Sequence, residues 1–111
     1  MKARVRDAGK IRILDLRGRI TMGAGDLALR EAVRGLIEDG HSRIVLNLKH
    51  VEWIDSAGLG EMVACKKRAV QSGGEVKILM PSEQVHNMMV LARIHEVFDI
   101  FHDELNAVGS F

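Results

Sequence analysis

The chain has 111 residues, 47% of them hydrophobic, and a formal net charge of +1: enough apolar content for one buried core, and no global basic field for nucleic acid. Its longest apolar runs, such as Met88 to Ala92, fall far short of the ~20 residues that span a bilayer, and the start MKARVRD lacks the apolar stretch of a signal peptide. A single cysteine, Cys65, excludes an internal disulfide and reads as a small buried apolar residue, so one cytoplasmic domain over residues 1–111 is expected.

In chain order, ARVRDAGKIRILDLRGRIT reads as two strands around a turn at Ala8-Gly9-Lys10, a hairpin. Alternation places Lys2, Arg4 and Arg6 on one strand face, the pattern of a protected sheet edge. No aromatics interleave with these cations, so nucleic acid is not expected as a partner. Met22 to Asp26 reads as a glycine loop with Asp26 as helix N-cap. The helical spacing of Leu29, Ala32, Val33, Leu36 and Ile37 predicts a helix over 27–39, ended by Gly40. Arg43 to Leu48 (RIVLNL) is β-branched and nearly all apolar, as a strand covered on both faces is.

A second helix follows Ser56, with Leu59, Met62, Val63 and Val70 expected on one face and Gly73-Gly74 at its end. EVKILM is a further strand closed by Pro81. Ser82 is expected to cap a third helix carrying Val85, Met88, Met89 and Ala92. VFDIF reads as a last short strand and DELNAV as a final turn of helix. From Arg43 onward the alternation implies parallel βαβ units, whereas the hairpin adds antiparallel pairing. The acidic end (Glu96, Asp99, Asp103, Glu104) and the basic start leave room for a homodimer by head-to-tail contact.

The segment VEWIDSAGLGEMVACKKRA, residues 51–69, carries the chemistry. Gly58 and Gly60 fall in a helix's first turn, where each costs about 1 kcal/mol relative to alanine, so bare backbone or close approach is needed beside Ser56. Gly58 to Val63 matches five positions of the dinucleotide fingerprint G-x-G-x-x-G, with Glu75 roughly twenty residues on. Val63 replaces the third glycine, however, and Asp55 lies against the phosphate position. A hydrolase elbow, G-x-S-x-G, fails because Ile54 stands where its first glycine belongs. None of His41, His50, His86, His95 and His102 is marked as its base, and no pair has zinc-ligand spacing. No metal and no cofactor are expected. The remaining readings are that Asp55 or Ser56 merely caps a helix, or that Ser56 is an exposed phosphoacceptor. In the second case a gain of about −1.5 to −2 charges would change which proteins can dock on the shallow surface left by Ala57, Gly58 and Gly60.

The stretch Val45 to Val63, VLNLKHVEWIDSAGLGEMV, resembles the signature of STAS domains, specifically the bacterial anti-sigma factor antagonists: an apolar strand ending in Asn-Leu, then Asp-Ser-Ser/Thr-Gly-Leu-Gly opening a helix. The hairpin start, HSRIVLNL, the GG before EVKIL and the late VFDIF extend the resemblance over essentially the whole chain. It implies an α/β fold, a single STAS-type domain with a mixed four- to five-stranded sheet and helices mainly on one face. It further implies a non-enzymatic regulator that binds an anti-sigma factor with serine kinase activity and frees the sigma factor. Phosphorylation at Ser56 would end that binding, and a metal-dependent serine phosphatase would restore it.

By the same resemblance Asp55, Ser56, Ala57, Gly58, Leu59 and Gly60 form the partner-binding surface. Thr21 joins them where the family's second strand commonly ends Gly-Glu-hydrophobic-Asp; here it reads Gly18-Arg19-Ile20-Thr21. The second Ser/Thr of the motif is Ala57. STAS-like domains also serve as non-enzymatic subunits of lipid-transport ATPase complexes or as stress-sensing scaffolds, which is the alternative function the resemblance allows.

Overall fold

A two-residue turn at Gly9-Lys10, with Gly9 at φ 67°, folds β1 (Lys2–Ala8) back onto β2 (Ile11–Ile20) in antiparallel register, Ala8 opposite Ile11 and Lys2 opposite Arg17. The computed structural model, which describes residues 1–111, continues through α1 (Ala24–Glu38), β3 (Arg43–Ile54), α2 (Ser56–Gln71) and β4 (Glu75–Leu79). It ends with α3 (Glu83–Leu91), a 3-10 turn (Ile94–Glu96), β5 (Ile100–Phe101) and α4 (Glu104–Gly109). The strands lie in the order β1-β2-β3-β4-β5, and every pair after the hairpin is parallel. This is the mixed α/β sheet that the alternation of elements implied.

Helices α1, α2 and α3 cover one face. Leu14, Leu16 and Ile20 of β2 and Ile44, Leu46 and Leu48 of β3 pack there against Leu29 and Val33 of α1, Met62 and Cys65 of α2, and Val85 and Met89 of α3. Each fully buried large side chain contributes about 1.5–3 kcal/mol. The other face is covered only in part. Ile11, Ile13, Val45 and Leu79 meet Ala107 of α4, and toward the carboxyl ends of β2 and β3 the sheet is open.

Both long helices end in the same way. Gly40 (φ 87°) and Gly73 (φ 83°) adopt the left-handed conformation. The following amides return to the helix, His41 N–H to Leu36 O at 2.8 Å and Gly74 N–H to Ala69 O at 2.8 Å. Together with the amide of each glycine bonding to Ile37 O or Val70 O at 3.0 Å, these are Schellman closures.

Four expectations change, the first being that of VFDIF only Ile100–Phe101 form a strand. Helix α1 begins earlier than expected, with Gly23 as N-cap; Asp26 lies inside the first turn and accepts the Gly23 N–H at 2.9 Å. Strand β3 runs to Ile54, six residues beyond Leu48. It carries two extra residues relative to β2, because Asp15 pairs with Asn47 but Arg17 with His50, and Gly18 with Val51 but Arg19 with Trp53. Val70 is 50% exposed. Leu59 and Met62 are buried as expected, but the stripe of α2 continues through Cys65 and Ala69 and not Val70, small residues that let the helix lie close to the sheet.

Candidate functional site: the start of α2

Strand β3 delivers Ile54 into the core and the chain turns at once into α2. Asp55 is the N-cap, with extended backbone (φ −105°, ψ −176°), the geometry a capping residue takes. Its Oδ1 accepts the Gly58 N–H at 2.9 Å and its Oδ2 accepts the Met22 N–H at 2.9 Å. One carboxylate therefore caps α2 and also ties down the loop before α1. These amides, Gly58 first and then Met22, hold the Asp55 carboxyl below the usual carboxylate range, because hydrogen bonds to the charged form favour it.

With Asp55 acting as cap, the side chain of Ser56 lies exposed at the first helical position. Both Asp55 oxygens are thus engaged by main-chain amides.

The two glycines have different reasons. A Cβ on Gly58 would stand 2.1 Å from Ile20 O and 2.8 Å from Ile54 Cγ1, whereas one on Gly60 meets nothing within 4 Å. Gly58 is thus the close approach of α2 to the end of β2, and Gly60 is bare surface. Leu59 is buried as well. Gly58 and Leu59, which the resemblance assigns to the partner-binding surface, are both buried here and hold the helix to the sheet. Asp55 and Ala57 remain partly accessible and Ser56 and Gly60 exposed. Thr21, half-buried, neighbours Asp55 through Met22 and accepts the Asp26 N–H at 3.0 Å.

Two participants were not anticipated. Met22, read only as part of a glycine loop, is 77% exposed beside Asp55; a lone exposed methionine gives no periodic signal. Glu61, one turn into α2, has a side chain only 2% exposed and accepts from Arg30 Nε of α1 at 2.5 Å and from Arg68 Nη1 at 3.0 Å. It fixes α1 against α2 behind the Ser56 surface.

The chain matches the model of the STAS domain over residues 2–107. It is 26% identical over 96 residues to an anti-sigma F factor antagonist of Paenibacillus polymyxa, covering 86% of this chain and 82% of that protein. The crystal structure of an anti-sigma factor antagonist from Mycobacterium paratuberculosis superposes with a TM-score of 0.86 at 19% identity, over 98% of this chain and 92% of the other. The Bacillus anti-sigma factor antagonist SpoIIAA matches in its unphosphorylated form (TM-score 0.72, 16% identity, 98% of this chain and 96% of that one). Its phosphorylated form matches too (TM-score 0.74, 15% identity, 98% of each). No helix here is long and apolar enough to cross a membrane. A hairpin-started mixed sheet, an Asp-Ser helix start and a family match over nearly its full length place this chain in the STAS domain family, similar to proteins named as anti-sigma factor antagonists.

Proposed function

We propose that this protein is an anti-sigma factor antagonist whose docking surface is the start of α2, and that phosphorylation of Ser56 switches it off. The observation that carries the reading is the division of labour between Asp55 and Ser56. The aspartate caps the helix, and the serine hydroxyl is left exposed on a surface of small residues. In the unphosphorylated form the protein binds an anti-sigma factor and releases the sigma factor it holds. That anti-sigma factor is a serine kinase, this chain is its substrate and not an enzyme, and a metal-dependent phosphatase resets the surface.

The chemistry of the junction supports this. A phosphate at the first position of a 16-residue helix meets the positive end of the helix dipole and first-turn amides, so the fold tolerates it. Its charge, beside the ionised Asp55, makes the same spot hostile to an acidic or apolar partner surface. That SpoIIAA has been solved in both phosphorylation states, each similar to this fold, is consistent with a switch that works by surface charge and not by refolding.

The test is incubation of the protein with a candidate anti-sigma kinase and ATP, followed by mass spectrometry of the peptide containing Ser56. Stoichiometric addition of phosphate at Ser56, absent in Ser56→Ala, is the expected outcome. Modification elsewhere, or none with a kinase that binds the protein, sinks the proposal.

A further inference from the structure

On the face opposite α1 and α2, beside α4, the sheet holds an uncovered cleft of about 630 Å³ lined by Lys2, Arg4, Arg17, Lys49 and His50, with Met80 at one side. It lies on the sheet face, across the middle of β1, β2 and β3. Its floor is already satisfied. Asp15 accepts from Arg6 Nε at 2.6 Å and from Asn47 Nδ2 at 2.9 Å, and Arg6 also donates to Glu104 at 2.6 Å. The rim is not: Lys2, Arg4, Arg17, Arg19 and Lys49 enter none of the ion pairs of the fold.

The array continues past the cleft. Ile20 and Ile54 both point into the helix-covered core, so their preceding neighbours Arg19 and Trp53, paired across the sheet, face the open side. Trp53 is 41% exposed there. The bulge opposite Arg17 turns both Lys49 and His50 into the cleft. Along the strands, cations outside the ion pairs recur about 7 Å apart, the Lys2–Arg17 row and then Arg19, with Met80 and Trp53 as apolar neighbours and the exposed Glu52, the extra residue of the second bulge, beside Trp53. Extended polypeptide has this same period on one face.

We propose that this open face is a second docking surface, separate from Ser56, and that it takes an extended acidic segment of another protein, with acids at alternate positions so that all of them lie on the one side turned to the sheet. A compact small anion would leave Arg19 and Trp53 unused. A membrane surface has no reason to match a two-residue repeat.

Trp53 is the chain's one tryptophan and reports on the face directly. The experiment titrates the intact protein with a synthetic peptide of alternating glutamate and valine while indole emission is read. Parallel titrations use an alternating lysine–valine peptide, pyrophosphate and phosphatidylserine vesicles. The expected result is a saturable change in Trp53 emission with the acidic peptide alone, weakened at least ~tenfold in Arg17→Glu/Lys49→Glu and unchanged in Ser56→Asp. Both reversed side chains are exposed, and circular dichroism verifies that the double variant folds. The proposal is overturned by a flat titration, by equal affinity in the double variant, by an equal or stronger response to pyrophosphate, or by a response to vesicles and not to peptide.

Discussion

The carboxylate of Asp55 bonds the backbone amide of Met22 at 2.9 Å, so the residue that starts α2 also holds the loop that starts α1. Replacing Asp55 with Ala removes a helix cap and that tether together. A fall in melting temperature of ~5 °C or more is expected, and Asp55→Asn, which keeps one acceptor oxygen, loses less. Amide hydrogen exchange at Met22 distinguishes the tether from the cap, since only the tether protects that amide.

Acid stability follows from the same contact. Asp55 is depressed by the Gly58 and Met22 amides, and Asp15 by Arg6 and then, after an opposing effect of burial, by Asn47. A carboxylate with a folded pKa below its unfolded value of about 3.9 contributes stability that is present above that value and lost as pH falls through the folded one. Urea midpoints are expected to be flat from pH 6 to about 5 and to decline below 4. Asp55→Asn is expected to flatten part of that decline; an identical profile in the variant counts against the assignment.

Gly58→Ala and Gly60→Ala make a matched pair two residues apart. The first forces a Cβ to 2.1 Å from Ile20 O, the second enters open space. Gly58→Ala is expected to destabilise by several kcal/mol, if it folds at all, because backbone must move. Gly60→Ala is expected to stabilise by about 0.5–1 kcal/mol through helix propensity. A large residue at Gly60 is therefore the clean probe of docking, since it blocks the surface without burdening the fold. A melt and a binding titration on the same variant separate the two effects.

Ser56→Asp is expected to weaken binding to the kinase partner by ~tenfold or more, as about 1.4 kcal/mol suffices, and Ser56→Ala to bind within about twofold of the parent. Equal affinity of the two variants, measured by calorimetry, removes the switch.

Burial pushes the Cys65 thiol up to about 12, aided by the neighbouring Glu61 carboxylate. The thiolate is then scarce at neutral pH. Labelling by a disulfide reagent is expected to be slow in the native protein and immediate in urea, whereas rapid native labelling shows that α2 opens locally.

The hairpin, the βαβ order and the Asp-Ser junction were legible in the sequence because each rests on local chemistry: a glycine turn, apolar strands between helices, a cap beside a helix. What was not legible depends on packing distance. Gly58 and Gly60 look alike as letters, yet only one lies against the carbonyl of Ile20. Val70 follows the spacing of Leu59, but α2 buries the smaller Cys65 and Ala69 instead, and size misleads where helix and sheet approach closely. The later half of β3 reads as polar because its sheet face is open and two bulges interrupt its alternation. Glu61 gives no sign of burial in sequence, since its arginine partners lie 31 residues away and two turns on.

The clasp of Arg6 on Glu104 joins groups 98 residues apart in sequence, bridging the edge strand to the last helix. The chain must therefore be released through α4 before β1 gains this restraint. That restraint leaves β1 the outer strand of the sheet, so the mutual repulsion of Lys2, Arg4 and Arg6 is what discourages two such edges from pairing, before folding is complete and after.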